Sequence, residues 1–198
     1  MRKKHYICRV MRVITLDRKG LVATMRKLED VCGAGCTPGL VVGIATGGAI
    51  VAEGMFVGVR HVSVQCCRPG TARKKRAGLV MRAIRRLPRC MRDAMRIAEA
   101  KMLRLHRSPG RDVRIGDTER QLIAGATDIL VVDDAVDSGA TLEAVIKAIR
   151  EINTTCGLHS ASITVTEKNP LRHPDYSIYD NGTLVRFPWS MDNSAGTA

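Results

Sequence analysis

ILVVDDAVDSGATL, residues 129–142, passes from four aliphatic residues through paired acids into a run of small residues and on to a new apolar stretch. Ile129–Val132 is short and unbroken in its hydrophobicity, the pattern of a strand buried on both faces of a parallel sheet. Asp133–Thr141 follows as a loop. Leu142, Val145, Ile146 and Ile149 then recur at helical spacing, which predicts a helix over Leu142–Ile152. A small-residue loop entering a helix lines up successive backbone N–H groups around a concavity, and such a concavity binds phosphate. Ser138 and Thr141 add hydroxyl donors, and Gly139 lets the backbone come close; Ala135, Val136 and Ala140 complete the candidate loop. Asp133 and Asp134, at the carboxyl end of the strand, suit a polyhydroxylated sugar, because carboxylates accept hydrogen bonds from vicinal hydroxyls. In open α/β sheets this strand end is where ligands bind.

The same grammar recurs on either side. Leu21, Val22, Met25, Leu28 and Val31 predict an amphipathic helix over Leu21–Cys32, closed by Gly33-Ala-Gly35. Leu40–Ala45 is a second buried-strand run. Thr46-Gly47-Gly48 is a tight loop after it, Ala49–Met55 one or two helical turns, and Phe56–Gln65 a further strand region. Ser160–Thr166 alternates Ala161, Ile163 and Val165 with hydroxyl residues, as a half-buried strand does. Leu184–Trp189 is a last strand and turn. Strands alternating with helices predict an α/β fold: a mostly parallel twisted sheet flanked by helices. A length of 198 residues predicts one domain spanning 1–198.

Composition narrows the functional classes. Apolar residues make up 45% of the chain but aromatic residues only 3%, so the core is aliphatic and base stacking on rings is disfavoured. No apolar run reaches the roughly 18 residues of a membrane span. MRKKHYICRVMRV, residues 1–13, is basic without an apolar centre and does not read as a signal peptide. Seven cysteines, an odd number, then predict reduced thiols and a cytoplasmic location. Cys32 and Cys36 form a CxxxC and Cys66–Cys67 an adjacent pair, but neither has a second pair at zinc spacing.

Charge is distributed unevenly. Residues 66–111 hold 15 Lys/Arg and 2 Asp/Glu, whereas the rest of the chain holds 17 of each. This segment is expected to be a basic, largely helical insertion or lid. Pro88 opens a helix to about Leu105, with Met91, Met95, Ala98, Met102 and Leu105 as its apolar seam. Three roles suit the excess charge: contact with nucleic acid, an amphipathic helix on a membrane surface, or a seam packed on the body or a twin subunit beneath a solvated basic face. The last is preferred, since no aromatic residues interleave the charges as a single-strand stacking platform requires.

The 129–142 stretch resembles the phosphoribosyl pyrophosphate (PRPP) signature of the type I phosphoribosyltransferases: a buried strand, two acids, two small or apolar residues, then a phosphate loop. Ala135 stands where a larger aliphatic residue is usual. VVGIATGGAIVAEG, residues 41–54, resembles the family's pyrophosphate loop; Thr46, before Gly47 and Gly48, replaces the Arg or Lys that purine members often carry. ITVTEKNP (163–170) with HPDYSIYDNGTLVRFPW (173–189) resembles the C-terminal hood of bacterial and archaeal xanthine, hypoxanthine and guanine phosphoribosyltransferases, which gives a hood over residues 160–192.

The resemblance implies an enzyme that moves 5-phosphoribosyl from PRPP to a nucleobase, a 6-oxopurine first, releasing pyrophosphate. It implies Mg²⁺ near Asp133 and Asp134, reached through ribose hydroxyls or water. Residues 135–141 would hold the 5-phosphate and Thr46, Gly47 and Gly48 the pyrophosphate. Asp137 is the catalytic residue for the proton at purine N7. Lys168 contacts the 6-oxo group, and Leu184 and Val185 enclose the base. Arg73, Lys74, Lys75 and Arg76 are the lid candidates. A homodimer is the expected assembly. The family's fold also serves regulators that sense PRPP and bind nucleic acid, so a regulator, or a transferase for another acceptor, is the alternative.

Overall fold

The computed structural model describes residues 12–67, 111–180 and 182–190. β1 (Arg12–Thr15) leads into α1 (Arg18–Gly33), β2 (Leu40–Ala45), α2 (Gly47–Glu53) and β3 (Arg60–Cys67). β4 (Asp112–Arg114), α3 (Asp117–Ala124), β5 (Asp128–Val136), α4 (Ala140–Ile152), β6 (Gly157–Val165), β7 (Tyr176–Tyr179) and β8 (Thr183–Arg186) follow. Six strands form one sheet in the order β4-β3-β2-β5-β6-β7, parallel throughout except for β4, which runs against β3. β1 and β8 form a separate parallel pair, joining the two ends of the described chain.

Side-chain alternation along β5 builds the core on both faces of the sheet. Leu130 and Val132 face α1 and α2, meeting Met25, Leu28, Val51 and Met55. Ile129 and Val131 face α3 and α4, meeting Ile123, Val145 and Ile149. This is why Ile129–Val132 has no polar residue: neither face meets water. Each large aliphatic side chain so buried contributes roughly 1.5–3 kcal/mol.

Several boundaries differ from the sequence expectations. α1 starts three residues early, at Arg18, because Asp17 caps it: its Oδ1 accepts from the Gly20 N–H at 2.6 Å. The strand region expected from Phe56 begins at Arg60, behind turns at 54–59. Asp133–Val136, expected in a loop, remain strand, with Asp133 opposite Ser162 and Ala135 opposite Thr164; the loop shrinks to Asp137–Gly139. β1, β4, α3 and β7 carried no sequence expectation. The lid candidates Arg73, Lys74, Lys75 and Arg76, and the seam from Met91 to Leu105, lie outside the described residues, as does all of 66–111 except Cys66, Cys67 and Arg111.

Candidate active site

The chain enters the sheet at β2, places β3 on one side, then crosses to place β5 on the other. The connections therefore leave the carboxyl ends of β2 and β5 in opposite directions. A crevice opens at such a reversal, and ligands of open α/β sheets occupy it. The candidate pyrophosphate loop follows β2, and the candidate phosphate loop follows β5. Two segments about ninety residues apart in the chain are thus brought to one edge by strand order alone.

Their contact is close. The Asp134 carboxylate lies directly on the Cα of Gly47, where a methyl group would overlap it. Gly48 in turn lies on the Val132 carbonyl and the Asp133 backbone, with Gly47 and Gly48 both buried at the start of α2. Thr46 is exposed and makes no side-chain cap; the peptide joining it to Ala45 is cis. The Gly-Gly pair is thus required by packing against the acids.

Asp133 is buried, and its Oδ1 accepts from the Asp134 N–H at 2.9 Å. Burial, then the neighbouring Asp134 charge, pushes the Asp133 carboxyl well above the ordinary carboxylate range. Burial raises Asp134 as well, opposed by hydrogen bonds from its surroundings, including the Trp189 indole N–H at 3.3 Å. Two adjacent desolvated acids favour a cation or sugar hydroxyls as partners.

Beyond them, Gly139 takes φ +73°, a left-handed conformation open to glycine, and starts α4. Its Cα faces the backbone of Arg172, and the Leu171 N–H donates to the Ser138 carbonyl at 2.8 Å, so the segment after β6 packs over the loop. A cavity of about 50 Å³ opens here, lined by Asp137, Ser138, Gly139 and Thr141, with Asp133, Ala135 and Val136 at its strand side. Arg111 also lines it, and its charge reaches the Cys66 thiol nearby. No sequence reading singled out Arg111 beyond its membership of the basic segment. Its place depends on β4 pairing with β3, a pairing that three residues cannot announce.

Asp137 is exposed at the loop's mouth, and Thr166 Oγ1 donates to its Oδ1. Thr166 was read only as the polar end of a strand; the β5–β6 register makes it the neighbour of Asp137. Lys168 is exposed in the bend after β6. Leu184 and Val185 are buried on β8 and point to opposite faces. Val185 packs into the core with Leu28 and Val132, opposite Ile14 in register, whereas Leu184 stands outside that cluster.

Among solved structures, the chain is similar to a purine phosphoribosyltransferase from Pyrococcus horikoshii (16% identity, TM-score 0.60, covering 89% of this chain and 93% of that one). It is similar to the xanthine-guanine-hypoxanthine phosphoribosyltransferase of Helicobacter pylori (16% identity, TM-score 0.57, covering 91% and 95%). It is also similar to a hypothetical protein from Neisseria gonorrhoeae with bound ppGpp (17% identity, TM-score 0.60, covering 90% and 89%). No protein-family model and no curated protein sequence matches the chain. Strand order, the two loops at its reversal and these likenesses agree on one conclusion: the chain has the phosphoribosyltransferase fold.

Proposed function

We propose that the protein transfers 5-phosphoribosyl from Mg²⁺-bound PRPP to a nucleobase, with a 6-oxopurine as acceptor and pyrophosphate as leaving group. The observation that carries this is the meeting of the Gly47-Gly48 loop with Asp133 and Asp134 at the sheet's switch point. PRPP needs this combination, because its anomeric carbon lies between a 5-phosphate and a pyrophosphate. Backbone donors of residues 137–141 and the hydroxyls of Ser138 and Thr141 take the 5-phosphate. The Arg111 guanidinium lines that same cavity and adds positive charge beside the 5-phosphate, while the Thr46–Gly48 backbone takes the pyrophosphate.

Asp133 and Asp134 orient the ribose hydroxyls while positive charge builds at the anomeric carbon. Mg²⁺ fits this donor set. Asp133 and Asp134 would hold it through ribose hydroxyls or water, since Mg²⁺ commonly keeps several waters and binds through one or two carboxylates and substrate oxygens. When bound, Mg²⁺ would supply charge neutralisation for the departing pyrophosphate. Asp137, oriented by Thr166, accepts the proton lost from the base at N7. Lys168 donates to the 6-oxo group and Leu184 contributes aliphatic contact to the base. Most of the rate enhancement comes from positioning. A cytoplasmic homodimer completes the proposal; among the described residues no helix is long and apolar enough to cross a membrane.

The test is pyrophosphate release from Mg²⁺–PRPP with hypoxanthine, guanine, xanthine, adenine, orotate and uracil offered separately. Release with a 6-oxopurine is expected, with kcat reduced roughly 10²–10⁴-fold in Asp137→Asn. Release with orotate or uracil alone overturns the acceptor class, and release with no base overturns the transferase. A second reading, a PRPP-sensing regulator that binds nucleic acid, is favoured by one observation, the charge of residues 66–111.

A further inference from the structure

The turn Phe187-Pro188-Trp189-Ser190 closes on itself twice: the Phe187 N–H donates to Ser190 Oγ at 3.0 Å, and the Ser190 N–H donates to the Phe187 carbonyl at 2.9 Å. Phe187 is 3% exposed and belongs to the core beneath the sheet. Trp189 stacks on it with ring centroids 4.9 Å apart and planes within 3°. The indole is therefore held in one plane by a ring that is itself fixed. From that plane its Nε1–H points at Asp134 Oδ2, at 3.3 Å and 55 residues away in the chain. The same carboxylate lies against Gly47.

We infer that Trp189 is a positioning residue for PRPP: its indole N–H holds the Asp134 carboxylate against the pyrophosphate loop, in place for the substrate's ribose. The inference rests on the function proposed above. Three features support a role beyond packing. An indole N–H only donates, so a carboxylate is its natural target in a partly buried site. Asp134 lies against Gly47 of one loop and follows Asp133, which lines the cavity of the other, so its direction bears on the ribose site proposed between them. The tether also reaches Asp134 from the hood, the part of the chain proposed to receive the base.

Trp189 is the only tryptophan in the chain, so tryptophan emission reports on the surroundings of this one side chain. Calorimetric titration of the full-length wild type with Mg²⁺–PRPP comes first; absence of binding overturns the proposed function and this inference with it. Where heat shows binding, tryptophan emission is expected to change saturably with the same Kd, and an unchanged emission overturns the inference while leaving the function standing. Trp189→Phe keeps a ring to stack on Phe187 but removes the N–H. It is expected to raise the KM for PRPP about tenfold, with the KM for base and kcat within about threefold and Tm nearly unchanged. Replacing Trp189 by β-(3-benzothienyl)alanine, which swaps N–H for sulfur in the same shape, is expected to reproduce that loss. An unchanged KM for PRPP in the benzothienyl protein, or equal losses in kcat and both KM values, overturns the role.

Discussion

Asp133 combines two opposed demands on one side chain. In the proposed role its carboxylate is charged to orient ribose hydroxyls, yet burial and the Asp134 charge favour the protonated acid. The sign of the consequence follows from linkage. A carboxyl whose folded value is raised binds more protons folded than unfolded, so the stability it contributes is present below its ordinary value of 3.8 and is lost as pH rises through the folded value. Asp133→Asn keeps an oxygen to accept from the Asp134 N–H and removes the charge. The unliganded variant is therefore expected to melt higher than wild type at pH 8, with the difference vanishing toward pH 4, while phosphoribosyl transfer is lost. Relief of about 1 kcal/mol moves Tm by about 2–4 °C in a chain of this size. Thermal melts at both pH values decide it: a variant that melts lower at pH 8 shows that the carboxylate does not oppose folding.

At the scale of elements, the helices opposite α1 and α2 are locked together by a single side chain far from the chemistry. Asn153 follows α4, and its amide donates to the carbonyls of Ile123 and Ala126 at the end of α3, at 2.9 and 2.8 Å. Its oxygen accepts from the Cys156 N–H at 3.1 Å. α4 runs back from the carboxyl edge of the sheet, so Asn153 stands at the amino edge. Asn153→Ala leaves these buried groups unpaired and is expected to cost about 2–4 kcal/mol, seen as a lower denaturation midpoint with the KM for PRPP unchanged. A shifted KM shows that the α3–α4 joint reaches the phosphate loop. Elements such as β2, β5 and α4 were legible because their signals are local: an aliphatic run of strand length, or a stripe at helical spacing. β1, β4 and β7 have three or four residues each and are strands only through partners, β8 for β1 and β6 for β7. The candidate site divides in the same way. The phosphate loop reads directly from 129–142, whereas Arg111, Thr166 and Trp189 enter it through strand pairing or a returning turn, across separations that no window of sequence spans.

The whole molecule consists of an electrically balanced body with 17 residues of each sign and a segment, 66–111, with thirteen charges in excess. The substrate proposed for the body is itself a polyanion, and Arg111, just before β4, lines the candidate cavity. A lid for PRPP and a patch for nucleic acid both make use of that charge, but they separate under mutation. On the regulator reading, duplex DNA is retained at 50 mM salt and released by about 200 mM, because each neutralised phosphate steepens the fall of log K with log salt by roughly 0.9. On that reading, changing Arg82, Arg85, Arg86, Arg89, Arg92 and Arg96 to Gln flattens that slope while leaving kcat/KM for PRPP intact. These six positions follow the Arg73–Arg76 cluster proposed as the lid, and three of them, Arg89, Arg92 and Arg96, fall in the stretch 88–105 that the sequence predicts to be a helix. If transfer falls with retention, these arginines belong to the closure over PRPP. If neither changes, their charge is a solvated face and the regulator reading fails.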